Sequence, residues 1–284
     1  MKSAITLLIL SAITYLPACV EQIELPLESA DTRMLVVEGQ FTSDTTIQTI
    51  RLSLTSDFYE TNTDPVENAT VSVTDGTNTY LFMEDPKIRG LYKTPAETYG
   101  MPGKKYKLMI SGTDTNGDGE TESYTAESQM PAMSGIDSIN VSIENLFSTD
   151  MLRVSYYGQE DPAPNDAYLF RLRINTWLVT NNLNECTISE DQTYNGQYMI
   201  DEPAIYFIQK DRYVRNGVEL ITLESCHIPY DYYLFLNDVR WESLGSDPFS
   251  GNPANIRTNI TGTHKALGFF AAYSITRKSK IFKP

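Results

Sequence analysis

The segment DTNGDGETE, residues 114–122, has residue types and a spacing that suggest a definite chemistry. Asp114, Asn116 and Asp118 alternate, and Gly119 follows. That matches the first six positions of a calcium loop, where side chains two apart wrap a hard cation and glycine permits the sharp turn. Glu120, through its backbone carbonyl, and Glu122 would add further oxygens. Position twelve is Thr125 where such loops carry a bidentate glutamate, and the flanks KLMISG and ESYTAES have the composition of strands. The expected site is therefore weak and structural, binding calcium at roughly 10⁻⁴ to 10⁻³ M and pinning a hairpin tip. The competing reading is a solvated acidic tip, since Asn-Gly and Asp-Gly turn a hairpin without metal.

Cysteine supplies the second kind of chemistry. Cys19 ends the stretch LPAC, preceded by the positive start Met1–Lys2 and the apolar run AITLLIL. The run is too short for a membrane span, which needs roughly 20 apolar residues, but it suits a secretory signal. Small Ala18 before the cysteine, and Leu16 two residues earlier, resemble a bacterial lipobox. In a lipobox the thiol takes up diacylglycerol and the cysteine becomes the new N-terminus. Cys19 is thus expected to be acylated and to act as a membrane anchor. That leaves Cys186 and Cys226. An even remainder in an exported chain reads as one disulfide, worth about 3–4 kcal/mol by loop-closure entropy. Two buried thiols are the alternative.

Conventional catalytic patterns are missing. His227 and His264 have neither HExxH nor HxH spacing, and both read as surface or satisfied histidines. The chain has no GxSxG elbow, no nucleophilic SxxK and no GxxxxGK[ST] phosphate loop. Loop carboxylates alone do not identify a hydrolase. Tyr156, Tyr157, Trp177, Tyr194 and Trp241 fall in or near the longer loops after residue 137. Aromatic residues there could stack sugars or anchor a protein contact, although strand aromatics are more often core.

The elements that must position these residues are mostly strands. MLVVEGQF, TIQTIRLSLTS, ATVSVTDG, TYLFMED, GLYKT, KYKLMISG and ESYTAES are short runs rich in β-branched and aromatic residues, with turn clusters between them. The fold class expected is all-β: an immunoglobulin-like or transthyretin-like sandwich, followed by a second β-rich domain with one short helix. The boundaries read as a signal peptide at 1–18, an acidic tether at 19–32, the sandwich at 33–130 and the second domain at 131–284. QMPAMSGID marks the junction. Within PYDYYLFLNDVRWESL, the positions Tyr230, Tyr233, Leu234, Asp238, Trp241 and Leu244 approximate a helical stripe. SDPFSGNPANIRTNI reads as a long loop and ALGFFAAYSITRK as a buried final strand. A formal charge of -15 with a pI near 4.5 opposes nucleic acid or anionic phospholipid as partners.

Several fragments recur in order: LVVEG, VENATVSV, GLY, YKLMISG, IDSI, the DP of QEDPAP, TYNGQ, DYYLFL, DPFSGNPANIRTNI and ALGFFAAYS. Together they resemble Bacteroidota lipoproteins grouped as domain of unknown function 4249. The resemblance spans nearly the whole mature chain. It implies a lipid-anchored protein encoded near TonB-dependent outer-membrane transporters, and it transfers no catalytic residue; the placement expected is the outer membrane, facing the cell exterior. The expected role is non-catalytic: ligand capture for, or docking onto, such a transporter. A structural or adhesive surface lipoprotein is the alternative, and a glycan or peptide hydrolase is the third reading.

Overall fold

The computed structural model describes residues 33–283, apart from 57–62, 134, 147, 163–164, 191–194, 210–213, 215–216 and 244–255. The first seven strands are β1 (Leu35–Thr42), β2 (Thr49–Leu54), β3 (Thr70–Thr74), β4 (Thr79–Glu84), β5 (Leu91–Lys93), β6 (Lys105–Thr113) and β7 (Glu122–Gln129). They follow the period-two pattern of the sequence. In β6, for example, Tyr106, Leu108 and Ile110 are buried while the lysines and Met109 between them face solvent. The ladder β1-β2-β5-β4-β3-β6-β7 folds over a core that includes Phe41, Tyr92, Tyr106 and Tyr124.

Beyond residue 131 come β8 (Ser138–Leu146), β9 (Thr149–Gln159), β10 (Ala167–Ile174), β11 (Trp177–Leu178), β12 (Thr187–Glu190), β13 (Tyr198–Gln209) and β14 (Glu219–Ile228). Helix α1 (Tyr230–Ser243), β15 (Thr261–Gly262) and β16 (Ala266–Phe282) complete the chain. Strands β13-β9-β8 form a three-stranded sheet that closes one face of β10 and β14 around Leu152, Val154, Phe170, Leu172 and Leu223. The other face of these strands carries a third apolar cluster, beneath α1. The all-β architecture with a single short α-helix among the described residues is the one expected.

The apolar clusters change near the expected junction at 131, yet residues 33–284 form one compact unit. The reason is β16. This strand of 17 residues pairs antiparallel with β14 at its far end and parallel with β1 at its start. Its Phe270 and Ala272 enter the N-terminal core, while Phe269, Ala271 and Tyr273 enter the cluster under α1. Alternation along one strand thus serves two cores at once. Ser128 of β7 ties the halves again by accepting a hydrogen bond from the Ala272 amide at 2.9 Å.

Helix α1 starts at Pro229, whose carbonyl accepts from the amides of Tyr232 and Tyr233 at 3.0 Å each. Asp231 in the first turn and Arg240 in the last complement the helix dipole. Its buried positions are Tyr232 and Leu236, one turn apart. The stripe read from the sequence is therefore corrected: Trp241 is 72 % exposed, and Leu244 lies outside the described residues. Tyr232 and Phe235 seat against Phe269 of β16, with ring centroids 5.4 and 5.0 Å apart.

Candidate functional site

Along β1, Leu35, Val37 and Phe41 point into the sandwich, leaving Val36, Glu38 and Gln40 on the outer face. The parallel register sets Val36 beside Leu267 and Glu38 beside Phe269. Among the described residues, helix α1 packs mainly on β10, β12 and β16, to one side of β1. Between them lies a groove of about 420 Å³. Val36, Leu267 and Phe269 form its floor, Phe235 and Val239 of α1 one wall, and Ile256 also borders it. Its size and apolar lining fit the general form of a ligand site.

Two glycines shape this floor. Gly268, with φ of +85°, sits directly against Val37, and a Cβ there would overlap the Val37 carbonyl. Gly39 faces Phe270. Polar side chains in the lining are few. Gln40 Oε1 accepts from the Tyr273 hydroxyl at 2.8 Å. Burial pushes the neighbouring Tyr232 phenol up to about 12, so it remains a neutral donor at neutral pH. Among the described residues Glu38 is the one carboxylate of the lining, at 3.9 Å from Arg51.

A second cleft of about 340 Å³ adjoins the first turn of α1. Its lining includes Glu127, Asn165, Asp166, Tyr230 and Asp231, and the buried Phe269 borders both pockets. Behind this cleft, His227 is buried. Its Nδ1 donates to the Ala132 carbonyl at 2.6 Å, Nε2 lies 3.0 Å from Asp166 Oδ1, and its ring stacks on Tyr168 at 4.8 Å. The arrangement ties the 131–137 junction to β14. It agrees with a satisfied histidine, but its partners, far apart in sequence, gave no local signal.

Past the cluster under α1, the same face of the sheet turns ionic. Glu224 is fully buried and binds Arg173 Nε at 2.5 Å, Arg277 Nε at 2.7 Å and Arg171 Nη2 at 3.1 Å. Arg277 also forks onto Asp44. Burial alone would raise the Glu224 pKa, but Arg171, Arg173 and Arg277 outweigh it and hold the carboxyl below its ordinary value.

Of the residues singled out in the sequence for chemistry, none that is described lines the groove. Cys19 falls outside the described residues. Cys186 and Cys226 are both free thiols, so the expected disulfide is corrected. Strand β10 explains this: Cys226 is opposite Leu169 on one side, and Cys186 precedes Thr187, opposite Phe170 on the other. Two strand spacings make about 10 Å, beyond the roughly 7 Å a disulfide can bridge. Burial pushes the Cys226 thiol up to about 11 and raises that of Cys186.

The acidic hairpin tip sits between β6 and β7, as expected, and its side chains mostly bind its own backbone. Asp114 accepts from the Gly117 and Gly119 amides at 2.7 and 2.9 Å, and Asp118 from the Glu120 amide at 2.7 Å. Glu122 is drawn away into a buried set, accepting from Thr115 at 2.7 Å and from the Tyr124 hydroxyl at 2.8 Å. Asn116 donates to Asp118. No group of three or more His, Cys, Asp or Glu among the described residues could hold a metal ion. Of the loop aromatics, Tyr156 packs on Phe170, Tyr157 reaches Asp201, and Trp177 is exposed. Tyr194 lies outside the described residues.

A family model described as "Domain of unknown function (DUF4249)" matches residues 20–279. No curated protein matches the chain. Among solved structures, the chicken CNTN1 FN1-FN3 domains are similar at 16% identity and a TM-score of 0.26, over 66% of this chain and 59% of that one. A DUF4785 family protein from Legionella pneumophila is similar at 12% identity and a TM-score of 0.25, over 69% and 52%. The chain thus spans less than two thirds of either structure, and TM-scores this low carry no argument.

Proposed function

We propose a function from one premise: the chain belongs to the DUF4249 family. In this reading it is a non-catalytic, lipid-anchored surface protein of an outer membrane, held by acylated Cys19. It captures an apolar ligand in the groove beside α1 and passes it to, or docks it at, a TonB-dependent transporter. The observation that carries the capture role is the groove itself, about 420 Å³ and lined mainly by Val36, Phe235, Val239, Leu267 and Phe269. Support for the anchor comes from LPAC and the apolar run before it.

Affinity purification of the full chain from its native membrane tests the partnership. A transporter should co-purify, and its consistent absence would reject the accessory role. Labelled palmitate should enter the wild type and not Cys19→Ser; equal labelling would reject the anchor.

A further inference from the structure

The Gln40 amide in the groove has a fixed direction. Tyr273 is buried, so its O–H needs an acceptor, and it finds one in Gln40 Oε1 at 2.8 Å. Turning the amide over would set Nε2 against that hydroxyl and strand the buried proton. The carbonyl end of Gln40 is therefore held on Tyr273, and the nitrogen is the end left for other partners. One of these is the Tyr232 phenol, which also lines the groove and is hydrogen-bonded to the same side chain. The amide nitrogen carries two N–H bonds pointing apart, and a single phenol oxygen takes only one of them. Gln40 is exposed and borders the groove, so one N–H remains for whatever sits there.

We infer that Gln40 sets the specificity of the groove, and that its ligand is a neutral apolar molecule bearing a carbonyl oxygen, as in a ketone, ester or amide. The inference rests on the groove being the capture site proposed above and adds the class of ligand. A pure hydrocarbon would drive water from the Gln40 N–H and leave the donor unpaired. A carbonyl oxygen accepts that N–H and brings no proton of its own to be satisfied. An ionic head would lose its hydration to a lining whose one carboxylate, Glu38, already lies beside Arg51.

Displacement of a neutral, environment-sensitive dye by an alkan-2-one, and by the alkane of equal carbon number, tests this. The readout is the ratio of the two affinities, compared between the wild type and two variants. Gln40→Glu keeps an acceptor for Tyr273 but replaces the N–H donor with oxygen, and should lower the ketone-to-alkane ratio at least about tenfold. Gln40→Leu combined with Tyr273→Phe removes both partners of the inner hydrogen bond together, and should lower it about fivefold, the worth of one neutral hydrogen bond. Alkane affinity should stay within about twofold throughout. In the wild type, the infrared carbonyl stretch of the bound ketone should lie below its position in an alkane solvent. An unshifted carbonyl band, or an unchanged ratio in both variants, would overturn the assignment to Gln40 and leave the groove reading intact. Failure of both probes to displace the dye from the wild type would overturn the groove reading as well.

Discussion

The face of the sheet built from β10, β14 and β16 is apolar at one end and ionic at the other. At the apolar end, Leu169, Cys226, Phe269 and Tyr273 are roofed by Tyr232 and Leu236 of α1. At the ionic end, Glu224 is buried instead by the three arginines that bind it. The same strands therefore solve one problem in two ways. An apolar face needs a covering element, and among the described residues α1 covers only part of it, with the groove beside it at β1. A charged face becomes self-sufficient once its ions are paired. The difference places apolar surface beside α1 and ion-paired surface around Glu224.

The largest expected effect breaks the ionic end. Glu224→Ala leaves Arg171, Arg173 and Arg277 without their shared counter-ion, and removing one partner of a buried pair costs about 3–5 kcal/mol. Chemical denaturation should show that loss. The same site gives a pH signature. Because the folded carboxyl is held below its ordinary value, its contribution is fully present above that ordinary value and is lost as pH falls through the lower folded one. Glu224→Gln should therefore flatten the acid limb of stability; an unchanged acid limb would contradict the pairing.

The apolar end sharpens the comparison next. Leu236→Ala should cost about 2–5 kcal/mol by cavity formation. Gly268→Ala is expected to cost about 1–3 kcal/mol, since its φ of +85° strains any side chain, and to perturb the groove through Val37. The smallest effect belongs to Trp241→Ala, within about 0.5 kcal/mol, as for other exposed positions. Melting curves that rank Trp241 above Leu236 would restore the helix face read from the sequence.

That misread face shows where sequence legibility ends. In YDYYLFLND an unbroken run of five apolar or aromatic residues, Tyr232 to Leu236, goes more than one full turn round the helix, so a helix is evident but its buried side is not. Strands such as β6 and β7 were legible because lysine, serine and glutamate alternate with their core residues. The turn chemistry of residues 114–122 was legible too, whereas the inward course of Glu122 depends on Thr115 and Tyr124 meeting it in space. The groove has no local signature. It needs the parallel pairing of β1 with β16, 231 positions apart from Leu35 to Ala266, which no short-range pattern encodes. The cysteine pair failed for a similar reason, since parity of cysteines carries no information about the strand between them.

The central claim is that the groove beside α1 holds an apolar ligand. Titrating a neutral, environment-sensitive apolar dye into the wild type and into Val239→Arg tests it most directly, because Val239 borders the groove and is only half-buried. The account predicts saturable binding of one dye per wild-type chain and loss of at least about tenfold in affinity in the variant, equivalent to about 1.4 kcal/mol. Equal binding by the two chains, or no saturable binding by the wild type, would contradict it.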